Sequence, residues 1–347
     1  MSESNQLRAI TKKPLNAETP LAALENDITP GDLVYVRNHF DIPEIDPGSW
    51  ELLISGKAEN PSGWTLEALS ELPQAVGVMT LECAGNGRSG MDPSPPGTPW
   101  GFGAVSFVEY RGTSLANVLN LAGIAPDVVE VLFIGADHGE VMPGRKERYA
   151  RSLPLEVALD SRTALVWELN GQPLTPPHGF PLRLMVPTWY GMASVKWLQE
   201  VRLISEPFAG YFQVEHYVYQ QDETAHDGEP VREIRPRALI THPVDGAALA
   251  RGHIEVRGAA WTGHGTIHRV EFSTDNGGSW QPAELSPSSS EFGSRQWRHV
   301  WTPDTTGNFV LLARATDSSG NSQPLNYIWN ALGYGNNGVR PVKISIT

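Results

Sequence analysis

The strongest constraint on the fold lies in the last third of the chain, where five short segments alternate apolar and polar residues at regular spacing. They are residues 238–242, 253–260, 267–273, 295–301 and 308–316. Such alternation is typical of strands that bury one face, and the Asn276-Gly277 pair is a strong signal for a hairpin turn. Short strands at this spacing predict a β-sandwich of immunoglobulin-like shape. Because the chain has one cysteine, a likeness to immunoglobulin domains concerns architecture and not a disulfide.

The preceding part of the chain mixes two periodicities. Residues 66–72 and 114–121 have helical spacing, the second stretch ended by Gly123, whereas 128–134, 164–169, 182–186 and 195–204 have the pattern of strands. We therefore predict an α+β protein. Its parts are an N-terminal arm without periodicity over residues 1–30, a mixed α/β domain over 31–225, a charged junction over 220–236 and the sandwich over 236–347.

Composition excludes some classes of partner. The net charge of −13 argues against nucleic-acid binding, which needs a basic surface. No run of 18 apolar residues occurs, so no membrane span is expected. The first 21 residues lack the apolar core of a secretory signal. We expect a cytoplasmic protein if Met1 is the native start, and a periplasmic one if a signal was removed.

Cys83 is the single cysteine and lies in the run Leu81-Glu82-Cys83-Ala84-Gly85-Asn86-Gly87-Arg88. An apolar stretch over residues 76–81 leads into this turn, which would present the side chain at the end of a strand. The nearby arginine is expected to favour the thiolate, a nucleophile and a soft metal ligand. The alternative is an inert thiol in the core, a common role for free cysteine.

Three arginines stand in settings that call for an anionic partner. Arg37 and Arg88 are next to Asn, His or Gly residues, and Arg183 lies within an apolar strand. An unpaired buried charge is costly, so each needs either a carboxylate or a bound oxyanion or phosphate. The sequence leaves both options open. Asp137 is predicted to lie near a turn. The basic run over residues 145–148 is predicted to lie in a solvated loop or, alternatively, on a rim that steers anions.

Several segments together resemble the sulfite oxidase family of molybdenum enzymes. They are YVRNHF at 35–40, LECAGNGRS at 81–89, LNGQPLTPPHGFPLR at 169–183, VKWL at 195–198 and WN at 329–330. The resemblance covers nearly all of the chain beyond the first 30 residues. It implies a molybdopterin-binding catalytic domain over 31–225 and an immunoglobulin-like domain over 236–347 that forms a homodimer.

The resemblance also implies roles for single residues. Cys83 matches the thiolate that, together with a pterin dithiolene, holds molybdenum. Residues that match positions binding the pterin and its phosphate are Asn38, His39, Asp137, His178, Arg183 and Lys196. Residues that match the substrate pocket are Arg37, Arg88, its aromatic wall Trp100, and Tyr217 beside the metal. The loop after Asp137 differs in length from the family pattern.

The activity implied is oxygen-atom transfer, most often the oxidation of sulfite to sulfate. With no haem or flavin segment expected, electrons would pass to an external cytochrome or to oxygen. Leu332 takes the place of a further pocket arginine in the family, and Arg340 is a candidate to compensate for it. Alternatives are a sulfane dehydrogenase-like subunit with a cytochrome partner, a nitrate reductase, and a scaffold of the same fold without catalysis.

Overall fold

The computed structural model describes residues 6–222, 228–288 and 290–347, so five residues of the predicted junction, 223–227, lie outside the described residues. The predicted α+β class is confirmed: strands dominate, and the helices are few and short. Every helix in the described residues is too short or too polar to cross a bilayer.

Within the described residues, the first part of the chain contains fourteen strands and four short α-helices. The strands are β1 (Arg8–Lys12), β2 (Leu15–Glu18), β3 (Leu52–Gly56), β4 (Ser62–Trp64), β5 (Gln74–Glu82), β6 (Val105–Ser114), β7 (Glu130–Met142), β8 (Arg145–Pro154), β9 (Ala164–Leu169), β10 (Gln172–Pro173), β11 (Arg183–Met185), β12 (Leu198–Ile204), β13 (Val218–Tyr219) and β14 (Glu229–Pro230). The helices are α1 (Leu66–Ser70), α2 (Leu115–Ala122), α3 (Leu155–Ala158) and α4 (Tyr211–Val214). Single 3₁₀ turns occupy Leu21–Glu25, Gly31–Leu33, Arg88–Gly90, Pro176–His178 and Gly191–Ala193.

Two five-stranded sheets form the body of this part. One has the order β10-β9-β6-β5 with β11 also paired to β9, and the other has the order β4-β3-β12-β7-β8. The pairs are antiparallel except for β3 with β12. Apolar side chains from both sheets, such as Phe107 and Phe133, are completely buried in one core. The predicted helices and strands are confirmed, and Gly123 ends α2 with a φ of +70°.

Three segments with charged residues differ from their predicted structure. The segment predicted as an arm without periodicity forms, within its described part, the antiparallel hairpin of β1 and β2, and Ala17 pairs with Val36. Asp137 lies within β7 rather than near a turn, and the basic run over 145–148 begins β8 rather than forming a loop. These strands are exposed on one face and have charged side chains there, so the alternation of apolar and polar residues that marks a strand is hard to recognise in their sequence.

The last part of the chain forms the predicted sandwich. Its strands are β15 (Arg237–His242), β16 (Ala248–Leu249), β17 (Ile254–Trp261), β18 (Ile267–Ser273), β19 (Gln281–Pro282), β20 (Glu284–Leu285), β21 (Arg295–Trp301), β22 (Gly307–Asp317) and β23 (Val342–Ile346). They form a sheet of order β15-β17-β21-β20 and a sheet of order β16-β23-β22-β18-β19. Asn276 and Gly277 both have positive φ, at 58° and 88°, in the connection from β18 to β19. The two inner faces share a core of buried aliphatic residues with Phe272 and Trp297.

The two parts are joined by a continuous interface. Leu239, Ala259 and Trp261 of the sandwich belong to the same buried cluster as the core of the first part. Trp261 also donates a hydrogen bond of 2.8 Å to Glu82, the last residue of β5. The turn that carries Cys83 therefore lies directly against the second part of the chain.

Candidate active site

Cys83 follows β5 immediately and begins a tight turn. Its amide donates to the carbonyl of Ala104 at 2.9 Å, and its carbonyl accepts from Asn86 at 2.9 Å. Gly87 has a φ of +85°, a conformation that glycine adopts without strain. A Cβ at Gly85 would approach the Arg88 guanidinium to 2.9 Å, so only glycine allows this arginine to fold back over the turn.

The Cys83 thiol is buried, and this burial raises its pKa above the usual value. Arg37, a hydrogen bond from the Gly85 backbone and Arg88 oppose that rise without overcoming it. The expected effect of the nearby arginine is present, because Arg88 lowers the pKa of the thiol, but burial outweighs it in the protein chain alone. A soft cation bound to the sulfur is the type of partner that would hold this group as a thiolate.

Two cavities meet at this cysteine. We call the first the inner cavity; its space, including the part open to solvent, is about 610 Å³. Its lining includes Tyr35, Arg37, Asn38, His39, Cys83, Asp137, Tyr149, His178, Arg183, Ser194, Lys196, Trp197 and Tyr217. We call the second the outer pocket; its space, measured in the same way, is about 510 Å³. Its lining is Arg37, Cys83, Arg88, Pro96, Gly97, Thr98, Trp100, His216, Tyr217, Leu332 and Tyr334. Arg37, Cys83 and Tyr217 thus face both.

The structure brings all the predicted site residues together in these two cavities. The six residues expected to bind a pterin all line the inner cavity, and Arg88 and Trp100 line the outer pocket. The three arginines of the sequence analysis therefore converge, because Arg37 joins Arg183 on one side and Arg88 on the other. Their roles in binding remain predictions.

Lys196 is half-buried beside Asn38 and lies above the ring of Trp197, 4.0 Å from its centre. Its ammonium donates to the Asn38 side-chain oxygen and, at 2.7 Å, to the carbonyl of Pro177. Burial lowers the pKa of this ammonium, and the neighbouring Arg183 adds to the effect. Asn38 in turn donates to the carbonyl of Leu15 at 2.9 Å, so the N-terminal hairpin supports the cavity wall.

Arg183 is buried at the start of β11, and no carboxylate of the described residues lies within 4.0 Å of it. It donates to the carbonyls of His178 at 3.0 Å and Ser194 at 3.2 Å, while its Nε has no hydrogen-bond partner among the described residues. Burial lowers its pKa to about 10. Such an arginine still needs an anion, which the cavity can accommodate.

His178 has both ring nitrogens engaged. Its Nε2 lies 3.2 Å from the carbonyl of Val34, which can only accept, so this nitrogen carries the proton. Its Nδ1 then accepts from the Thr175 hydroxyl at 2.8 Å. Burial lowers the pKa of His178 to about 4. The ring is therefore neutral near pH 7.

Asp137 is the one carboxylate in the lining of the inner cavity. Burial raises its pKa to about 6, against the attraction of Lys196. Its Oδ1 has no hydrogen-bond partner within the described parts of the chain. This oxygen is an acceptor available to a bound group with N–H donors.

Arg88 is fixed in the outer pocket by backbone carbonyls rather than by an acid. Its Nε and Nη2 donate to the carbonyl of Leu332 at 3.2 and 2.9 Å, and its Nη1 donates to that of Thr98 at 3.0 Å. Among residues 6–222, 228–288 and 290–347, no carboxylate lies within 4.0 Å of this guanidinium, nor of Arg37. Trp100 forms a fully buried wall, with its ring edge-on to Tyr35 at 6.5 Å.

Tyr217 stands between the two cavities, with its backbone at a φ of +59°. Its hydroxyl is 2.6 Å from Nε2 of His39, and its ring stacks on Tyr334 at 4.9 Å. Burial lowers the pKa of His39 well below its usual value and raises that of Tyr217 to about 12. Both groups are therefore neutral near pH 7.

Sequence reasoning missed His216 and Tyr334 of the outer pocket. It also missed the partners of Glu82, which are Arg237 at 3.4 Å and Trp261 at 2.8 Å. His216 precedes the predicted Tyr217, and the Gly333-Tyr334-Gly335 run was the available signal for the second ring. Arg340, the candidate to compensate for Leu332, is not among the residues lining the pocket and instead lies 5.1 Å from the ring centre of Phe102.

Two family models match the chain. The model for the oxidoreductase molybdopterin binding domain matches residues 39–212. The model for the Mo-co oxidoreductase dimerisation domain matches residues 229–347. Together they cover the sandwich and most of the residues that line the inner cavity, whereas Tyr35, Arg37, Asn38 and Tyr217 lie outside both ranges.

Individual proteins are similar over almost the full chain. The mitochondrial sulfite oxidase of Drosophila melanogaster is 34% identical over 98% of this chain and 63% of its own length. The sulfite oxidase of Arabidopsis thaliana is 31% identical over 94% of this chain and 91% of its own. The crystal structure of the sulfane dehydrogenase SoxCD from Paracoccus pantotrophus matches 97% of this chain and 87% of that one, with a TM-score of 0.85 and 26% identity. The chain spans slightly less than two thirds of the length of the mammalian and fly relatives it matches.

Proposed function

Because this chain belongs to the sulfite oxidase family of molybdenum oxidoreductases, we propose that it oxidises sulfite to sulfate and passes the electrons to an external acceptor. The observation that carries the proposal is the position of Cys83. Its sulfur stands where a cavity suited to a large anion meets a pocket with two arginines that have no acidic partner among the described residues.

The inner cavity fits a molybdopterin cofactor by the chemistry of its donors. Arg37, Arg183 and Lys196 would balance the phosphate and the dithiolene, since within the described residues none of them has a carboxylate within 4.0 Å. The free Nε of Arg183 and free Oδ1 of Asp137 would bind an acceptor and an N–H donor of the pterin. Cys83 would supply the one soft ligand from the chain. When bound, the cofactor supplies the oxygen-atom transfer and stores the electrons.

In the outer pocket, the chain would bind and orient the substrate. Arg37 and Arg88 would hold a small oxyanion against Cys83, and the three carbonyl contacts of Arg88 fix its guanidinium before the anion arrives. Such preorganised charge-assisted contacts stabilise an anion more than flexible ones do. The Tyr217 hydroxyl, fixed by His39, would add a neutral hydrogen bond at the junction of the cavities.

A second candidate, oxidation of a sulfane-type sulfur group, is favoured by Leu332. This apolar side chain lines the outer pocket at the place where the family has a further arginine. A substrate with less charge needs fewer cations, and the structural similarity to the sulfane dehydrogenase SoxCD agrees with that option. In that case a cytochrome would be the expected acceptor. The dimerisation domain supports a homodimer under either reading.

The test is an anaerobic titration of molybdenum-loaded protein with sulfite, following the thiolate-to-molybdenum charge-transfer absorption. Loss of the band at one sulfite per molybdenum, with sulfate as product, is expected. The matched variant Arg88→Met should need much more sulfite for the same change, because one of two charged contacts is lost. A band that persists with sulfite and disappears with a thiosulfate-derived persulfide would replace the proposal with the second candidate.

A further inference from the structure

The outer pocket contains an imidazole that the proposed function does not use. His216 lines the pocket, and neither of its ring nitrogens makes a hydrogen bond within the described residues. Its ring is nevertheless held in place: it stacks on Tyr211 at 5.6 Å and meets Tyr217 and Tyr334 edge-on at 5.2 and 5.8 Å. A fixed ring with free nitrogens beside two arginines is arranged to contact a ligand in the pocket.

The charges around His216 are positive. Burial lowers its pKa to about 3, and Arg37, Arg88 and Arg151 add to this by repulsion. The other titratable groups whose rings face it are His39, Tyr211, Tyr217 and Tyr334. The tyrosines with a resolved shift all have raised pKa values and remain neutral.

A dianion bound between Arg37 and Arg88 would raise the pKa of His216. The anion neutralises the repulsion that these arginines exert on the imidazole and adds an attraction of its own. Both effects favour the protonated ring. Because Leu332 contributes no charge to this pocket, the dianion retains capacity for a third cationic contact.

We infer that His216 is a third oxyanion-binding residue of the outer pocket and takes up a proton from solvent when a dianion binds. This rests on the proposed function only in assuming that the pocket accepts a doubly charged oxyanion. The proton is released again when the product leaves, so binding is tightest at low pH. The site is thus selective for dianions of the sulfate type over single-charged ions such as nitrate.

Sulfate binding to the molybdenum-loaded protein tests the inference. Calorimetry at pH 6 in two buffers with different ionisation enthalpies gives the number of protons taken up per sulfate. We expect net uptake in the wild type and a sulfate affinity that falls as the pH rises. His216→Asn should abolish the uptake and weaken sulfate binding at pH 6 by about tenfold or more, as expected for loss of a charged hydrogen bond.

Two further variants keep the test decisive. His268→Asn removes an exposed histidine of the sandwich and should retain the wild-type uptake. His216→Gln replaces the ring differently, in case the asparagine variant fails to fold or to load molybdenum. No proton uptake by the wild type, no sulfate binding, or unchanged uptake in a folded His216 variant would overturn the inference. Uptake through His216 in a protein that does not oxidise sulfite would sustain it and refute the proposed function instead.

Discussion

The hydrogen bond from Trp261 to Glu82 allows a direct test of how the sandwich supports the cysteine turn. Trp261 is completely buried on β17, and its Nε1 donates to Oε2 of Glu82 at 2.8 Å. Oε1 of the same carboxylate accepts from Asn86 at 2.8 Å, with Arg237 at 3.4 Å. A carboxylate that faces three donors is suited to its ionised form, although burial raises the pKa of Glu82. Trp261→Phe removes one donor from this buried charge.

Trp297→Phe provides a control that removes the same atoms. Trp297 lies on β21, the strand that pairs with β17, and it is also buried. Its Nε1, however, has no hydrogen-bond partner among the described residues. The loss of ring volume is common to both variants, so the difference between them isolates the bond to Glu82. A hydrogen bond to a charged group contributes about 1.5–3 kcal/mol, and we expect Trp261→Phe to lose that much more stability.

The assay is urea unfolding at one fixed protein concentration, followed by circular dichroism and by the remaining tryptophan fluorescence. Both substitutions lie in one sheet and therefore report on the same transition. We expect unchanged slopes with urea and a lower midpoint for Trp261→Phe than for Trp297→Phe. Equal midpoints, or a larger loss for Trp297→Phe, would refute the view that Glu82 links the sandwich to the turn of Cys83.

Three further predictions concern the two cavities. Arg183→Met should lose most of its bound molybdenum, as measured by metal analysis. The control Arg202→Met, at an exposed arginine paired with Glu200, should retain it. Equal molybdenum contents would remove Arg183 from the cofactor site. Leu332→Arg should lower the KM for sulfite by about tenfold or more, because it adds a charged contact while the hydrogen bonds from Arg88 to the backbone of residue 332 persist. An unchanged KM would mean that this position does not reach the anion. His178 has its pKa lowered to about 4, so the folded apoprotein loses stability as the pH falls from 6.5 towards 4. His178→Gln should therefore show a smaller fall in Tm between pH 7.5 and 5 than the wild type. An equal fall would contradict a lowered pKa for His178.

The sequence predicted those elements in which one periodicity dominates. The strands Ile267–Ser273 and Arg295–Trp301 were predicted with the bounds they have, because apolar and polar residues are interspersed along each at close to strand spacing. The hairpin Arg8–Glu18 and the start of β8 were missed because charged side chains cover their exposed faces. Their pairing depends on tertiary contacts such as that of Ala17 with Val36, which no local pattern reveals.

The site was predictable where its residues lie in compact motifs. Arg37, Asn38 and His39 are consecutive, and Cys83 and Arg88 share one turn. His216 and Tyr334 lie outside these motifs, and only the neighbouring Tyr217 and the flanking glycines point to them. Arg237 contacts Glu82 from the sandwich, a pairing that no local spacing reveals. The arginine near Cys83 was visible in the sequence and does lower the pKa of the thiol. The burial that outweighs this effect is a property of the folded protein.

The two cavities draw on different parts of the chain, and this difference bears on specificity. Every lining residue of the inner cavity falls between Tyr35 and Tyr217, whereas Leu332 and Tyr334 bring the sandwich into the outer pocket. The backbone at Leu332 fixes Arg88, while its side chain faces the pocket. Under the proposed function, substitutions at this position would alter the charge offered to the substrate without disturbing Arg88 or the inner cavity. Such a division of the site would allow one cofactor-binding domain to serve substrates of different charge.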